Sequence, residues 1–324
     1  MNIEVERKMQ ITINNLNEQL DCSIFPPTFV LSNEIVELDA IIKTFDIKTA
    51  LSVAASGEQA LKMILCGIQD LTLFDINPWA IAYCVLLFTL IENVEYEEFI
   101  QFLGFDENLN SVITCFQYTT EYKNNTEIYE KIKGKLPLEI EQMWSSLFYS
   151  SLPLPNHPIF MDQTDAIARK SPNLPPMFKA EEFYRLKTLL ANVNINFICS
   201  DIKDLHQHIP DDYQFDFAYF SNISDWLFDE KTFKTIIEGI LSKYGIPVAI
   251  TRISLNTYDK EKIKCSGYWN IKFILQDDDY TSPSYSHKNA MEVNIAQGEI
   301  GNTIEYLARM IKSQLSTFTN QSKR

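Results

Sequence analysis

From Lys48 onward the hydrophobic positions switch repeatedly between two periods. TALSVAA is a short apolar run of the kind that forms a buried strand, and GEQALKMILCG follows with helical spacing and a closing Gly67. LTLFD reads as the next strand, and a long helix is expected from Pro78, where proline suits the first turn. The periodicity then lapses. Between about 95 and 190 only helical pieces appear, EYEEFIQFLGF and EIYEKIKGKLPLEIEQMWSSLF, and six of the thirteen prolines crowd between Pro153 and Pro176. A structureless loop of that length does not fit a compact domain, so a helical insertion or lid is expected. Strand-like runs resume with NINFICSD and FDFAYFSN, then a helix over DEKTFKTIIEGILSKYG and a strand in IPVAITRIS. KFILQDD and MEVNIAQ read as two final strands, and GNTIEYLARMIKSQL as a closing amphipathic helix.

Strands alternating with helices predict an α/β protein with a doubly wound, mostly parallel, seven-stranded sheet of Rossmann-like type. The expected divisions are a helical lead-in over 1–45, broken by Pro26-Pro27, and a nucleotide-binding domain over 46–94 and 191–316. The insertion covers 95–190, and a polar tail covers 317–324.

In such sheets ligands sit beyond the carboxyl ends of the strands. The stretch Ala55, Ser56, Gly57 ends the first of these strands, Asp75 the second and Asp201 the third. Small residues let the backbone approach a polar ligand, and the next helix presents free N–H groups. A carboxylate such as Asp75 can accept both hydroxyls of a ribose. A dinucleotide site wants G-x-G-x-x-G against a pyrophosphate, whereas AASGEQAL has one glycine and places Glu58 where phosphate would be repelled. The cationic sulfonium and ammonium of S-adenosyl-L-methionine suit that turn better, with Asp201 toward the adenine amino group. Plainer readings exist for each residue. Asp75 and Asp201 could be helix caps, and Ser56-Gly57 only a tight turn.

Composition narrows the partners. With 28 basic and 43 acidic residues the net charge is −15, which opposes binding to nucleic acid or anionic lipid. The six cysteines lack CxxC spacing, as in a reducing compartment. The first residues lack the apolar core of a signal peptide, and WAIAYCVLLFTLI is too short to span a bilayer, which takes roughly 20 residues. A cytoplasmic protein without an integral membrane segment is expected. His206 and His208 form an H-x-H pair with no third ligand, so no metal site is expected.

Two blocks carry a resemblance. The first runs from Ser56 and Ala60-Leu61 through Asp75-Ile76-Asn77-Pro78 to Tyr96-Glu97-Glu98-Phe99 and Gly104; the second is Tyr219-Phe220-Ser221-Asn222-Ile223-Ser224-Asp225-Trp226. Together they resemble the BtaA-like family of 3-amino-3-carboxypropyl transferases. The resemblance implies a class I methyltransferase-like fold in which an acceptor attacks the γ-carbon of S-adenosylmethionine and methylthioadenosine leaves. The protein then mainly orients the reacting groups, and a hydroxyl acceptor benefits from a general base. On this resemblance Asp225 is the first candidate for the base and Tyr219 the second. Asn77, Ser221 and Asn222 join the cofactor-binding set. Asp225 could instead cap the following helix, and Asn222 could simply form a turn. Arg252 is a candidate for the methionine carboxylate, or for ordinary surface pairing.

Family members that make betaine lipid carry a Cys-Trp-Glu-Asp-like stretch before the first strand, where this chain has LDCSIFPPTFVLSNEIVELDA. The acceptor therefore stays open between a small alcohol or amine and a neutral lipid, the latter through peripheral membrane contact. Plain methyl transfer by the same pocket, and a non-catalytic binding protein, are the alternatives.

Overall fold

A computed structural model describes residues 10–13, 28, 38–103, 122–148, 175–221, 223, 230–246, 248–253, 268–275 and 290–296. The protein is a mixed α/β structure with parallel strands, and its described residues hold eight strands, one more than expected. The chain divides into two compact units. The first comprises Met1–Ile35, Ala54–Leu65 and Leu73–Asp201, and the second Val36–Val53, Cys66–Thr72 and Ile202–Arg324. Residues 95–190 belong to the same unit as the strand end at Asp75.

In the first unit the strands run in the order β1 (Gln10–Ile13), β4 (Asn194–Cys199), β3 (Asp70–Asp75, whose last three residues belong here). β1 lies parallel to β4, with Gln10 opposite Asn196 and Ile13 opposite Cys199. This strand lies within the segment read as a helical lead-in: QITI alternates polar and β-branched residues, which suits an edge position.

The helix α3 (Pro78–Asn93) organises this unit. Every residue from Pro78 to Ile91 is buried. A helix apolar on all sides must be covered on all sides, and the covering groups are identifiable. Phe88 meets Phe197 of β4 with ring centroids 6.0 Å apart. Trp79 meets Trp144 of α6 (Leu138–Phe148) edge-on at 5.8 Å, and the Trp144 indole N–H donates to the Ala82 carbonyl at 3.0 Å. Expected helices in the insertion appear as α4 (Tyr96–Phe102), α5 (Tyr122–Ile132) and α6, followed by α7 (Ala180–Leu190). Phe99 of α4 packs on Phe183 of α7 at 5.1 Å, and Lys187 donates to the Val94 carbonyl at 2.8 Å and to Glu95 Oε1 at 2.9 Å.

In the second unit the order is β2 (Thr49–Val53), β5 (Phe217–Ser221), β6 (Val248–Ile253), β7 (Tyr268–Leu275), β8 (Ala290–Ala296). β2, β5 and β6 are parallel, and β6, β7 and β8 form an antiparallel meander. Asp216 fastens the start of β2, its Oδ2 accepting the N–H groups of Lys48 and Thr49, each at 2.9 Å. Among the described residues, two α-helices belong to this unit, α1 (Asp39–Phe45) and α8 (Glu230–Tyr244), and α8 ends at Gly245 in the left-handed region. The expected C-terminal helix lies outside the described residues, as does the tail.

Candidate functional site

The first unit brings together the turn after β2, the end of β3, the start of α3 and the end of β4. Ala54 continues the strand by donating its N–H to the Phe74 carbonyl at 2.8 Å. The chain then turns back on itself, with the Gly57 N–H donating to the Ala54 carbonyl at 2.8 Å. Ala55 (φ 44°) and Gly57 (φ 75°) both adopt left-handed backbone. At Gly57 this conformation and the packing demand the same residue. A methyl group there would come within 3.2 Å of Cys84 Sγ and of Leu87 Cδ2 on α3. Ser56 and Gly57 are buried and Ala55 is partly exposed, after which α2 (Glu58–Leu65) begins.

Asp75 ties this turn to the next strand. Its Oδ2 accepts the Ala55 N–H at 3.0 Å and its Oδ1 accepts the Asn77 N–H, also at 3.0 Å. Burial pushes the carboxyl up to about 6, against the opposing pull of the Asn77, Ala55 and Ile76 N–H groups. No ion pair to Asp75 occurs among the described residues. The thiols of Cys84 and Cys199 stand close enough to be pushed up in turn, mainly by burial and then by the Asp75 charge, Cys199 to about 12.

Asp75 is therefore no helix cap. That task falls to Asn77, whose Oδ1 accepts the Trp79 N–H at 3.0 Å, with Pro78 next in the first turn. Asn77 is buried, and capping accounts for its side-chain oxygen. The Ser200 N–H donates to the Asp75 carbonyl at 2.9 Å, which sets the ends of β3 and β4 side by side and leaves Asp201, partly exposed, just beyond. No helix starts at Ile202. The next helical element is the single turn Leu205–Gln207, so the capping alternative for Asp201 lapses as well.

Ile76, between Asp75 and Asn77, was not singled out in the sequence. It is 50% exposed, an unusual state for an isoleucine at a strand end beside a partly exposed carboxylate. Its signal was the odd position in Asp-x-Asn-Pro, but only the fold shows it turned outward. Glu58 takes the opposite course. Expected to meet a cationic ligand, it is fully buried and paired with Lys62 at 3.1 Å one turn along α2. Its charge is met inside the protein.

The second unit holds the other candidates. Tyr219 lies within β5, opposite Ser52 and Ile250, and is 1% exposed. That is the position of a core residue, and it opposes a role as a base that must reach an acceptor. Ser221 closes β5, buried, with φ 51° and a register shift against β6 just before it. A non-glycine residue held left-handed at a strand end marks an over-determined turn. Asn222 and Asp225 lie outside the described residues, and Arg252 lies in β6. His206 is exposed, and no group of three or more His, Cys, Asp or Glu able to hold a metal ion occurs among the described residues. No described helix is long and apolar enough to cross a membrane.

The chain matches no protein-family model and no curated protein sequence.

Proposed function

We propose that the Ala54–Gly57 turn, Asp75, Ile76 and Asp201 bind the adenosine part of S-adenosylmethionine, on a Rossmann-like fold of the class I methyltransferase kind. Further, we propose that the protein transfers the 3-amino-3-carboxypropyl group to a hydroxyl or amine acceptor. The observation that carries the binding reading is Asp75. A carboxylate pushed up by burial disfavours the folded state at neutral pH, and an asparagine could hold one of its two amide bonds without that cost. An ionised, partly exposed oxygen pair at a strand end is what a ribose diol requires, since a carboxylate offers about four acceptor sites and only N–H groups of the backbone already use some of them. Beside it, Ile76 offers an apolar face for a purine ring and Asp201 an acceptor for its amino group. The Asp75 carboxylate beside the turn, with no cation paired to it among the described residues, argues against a phosphate-bearing ligand.

When bound, S-adenosylmethionine supplies a sulfonium that activates its methyl and its γ-methylene toward a nucleophile. The protein's part is to hold the adenosine end rigidly, so that one of the two carbons faces the acceptor. The choice of the γ-methylene rests on the two sequence blocks that resemble the aminocarboxypropyl transferases. With Tyr219 in the core, Asp225 is the residue to test as base. The acceptor is proposed as a small molecule or a neutral lipid, with nucleic acid disfavoured by the charge of −15.

Incubation with S-adenosylmethionine and a cell extract, followed by mass spectrometry, tests the reaction. Methylthioadenosine together with an acceptor heavier by an aminocarboxypropyl unit is expected. S-adenosylhomocysteine instead would establish methyl transfer. Asp75→Ala is expected to abolish S-adenosylmethionine binding in calorimetry while the circular dichroism spectrum stays unchanged; undiminished affinity would remove the ribose assignment.

A further inference from the structure

The Asp75 carboxylate is a shared acceptor. Oδ2 holds the N–H of Ala55, and Oδ1 holds the N–H of Asn77 at the entry to α3. Ala55 is the alanine of the turn in left-handed backbone, a conformation that costs a residue with a Cβ on the order of 1–2 kcal/mol. Its bond to Asp75 is one of the contacts that keep it there. A protonated carboxyl gives up acceptor capacity on one oxygen, which becomes a donor. It can no longer serve both amides equally, and release at Ala55 is the outcome that relieves backbone strain.

We propose that Asp75 is an acid-sensitive latch on the ligand-binding turn: protonation frees the Ala55 N–H, lets the turn leave its left-handed form and closes the site to adenosine ligands. The ligand side of this inference rests on the adenosine reading above; the latch on the turn does not.

The surroundings of Asp75 make it the group that responds. From α3 it faces the Cys84 thiol, which also donates to the Ala54 carbonyl at 3.5 Å, and from β4 the Cys199 thiol. Both thiols are pushed up by burial and stay neutral through the range in question. The turn and the α3 entry contribute only backbone N–H groups. No lysine or arginine among the described residues pairs with Asp75 to hold its charge on. Burial pushes its carboxyl up to about 6, so a change from neutral to mildly acidic pH is enough to operate the latch.

Adenosine is the appropriate probe, because it carries no group that titrates between about pH 5 and 8. Calorimetry on the full chain is expected to show constant affinity above about pH 7 and a dissociation constant rising toward tenfold per pH unit below about 6. Asp75→Asn should bind weakly and without pH dependence. Ala55→Gly, which removes the strain while keeping the carboxylate, should bind with a shallower acid slope. Wild-type affinity that is flat over this range, or a slope that survives in Asp75→Asn, overturns the proposal. The ligand-free chain supplies a separate readout. The Ala55 amide resonance should titrate with a midpoint near that of Asp75 and lose this titration in Asp75→Asn. An Ala55 amide that does not titrate overturns the latch even if adenosine binds. A titrating amide with no adenosine binding at any pH supports the latch and overturns the adenosine reading.

Discussion

At the scale of single residues, the turn after β2 shows how one position can be constrained twice. Gly57 has positive φ, and Cys84 Sγ and Leu87 Cδ2 of α3 stand 3.2 Å from where its Cβ would be. Gly57→Ala is therefore expected to cost about 1–3 kcal/mol in denaturant unfolding and to weaken S-adenosylmethionine binding in parallel. Ala55 stands in the same backbone region with a side chain in place (φ 44°), so Ala55→Gly should be neutral to stabilising, by up to about 1 kcal/mol, as relief of strain outweighs the added freedom of the unfolded chain. The two substitutions have opposite expected signs although they lie two positions apart. Asp75 and the small-residue turn were legible in the sequence because a strand end followed by a helix start places them without reference to distant parts. What Asn77 and Glu58 hold in the folded chain was not legible there, for the same reason. Whether a polar residue near a strand end faces a ligand, caps a helix or pairs inward depends on partners such as the Trp79 N–H and Lys62, and the motif does not show which way each side chain turns.

Among elements, α3 is the clearest case of sequence and structure agreeing for a physical reason. An unbroken apolar run too short for a bilayer must be enclosed by protein, and the insertion helix α6 supplies part of the enclosure through Trp144. Trp144→Ala should destabilise the protein by about 3–5 kcal/mol, read by denaturant unfolding, since it opens a cavity and leaves the Ala82 carbonyl without the indole donor. In the second unit, Asp216 accepts two amides at the start of β2. Its replacement by alanine should cost about 1–3 kcal/mol and increase hydrogen exchange at Lys48 and Thr49. β1 was missed because four residues of alternating pattern are too few to outweigh the helical cast of the segment around them. Its strand state depends on β4, which lies far along the chain.

For the molecule as a whole, electrostatics sets the expected pH behaviour. Asp75 is raised from 3.8 to about 6 by burial, so the stability it contributes is fully present below its unfolded value and lost as pH rises through about 6. The ligand-free wild type should thus gain stability relative to Asp75→Asn as pH falls from about 7 toward 4, measured by denaturant midpoints for both proteins. Glu95, Glu98 and Asp211 are held below the usual range, principally by Lys187, Lys131 and Lys243, so their smaller contributions act in reverse and are lost at still lower pH. The sequence by itself determined the α/β alternation, the positions of most helices and strands, the acidic balance, and the turn and acid at successive strand ends. All of these follow from local periodicity, composition or chain order. Only the tertiary structure decided that Asp75 holds the Ala55 turn, that Ile76 faces outward while Tyr219 is buried, that Asn77 is a cap, and that the insertion packs with α3. Each of those depends on which distant groups the folded chain brings within a few ångströms, and that is a property of packing which no local pattern encodes.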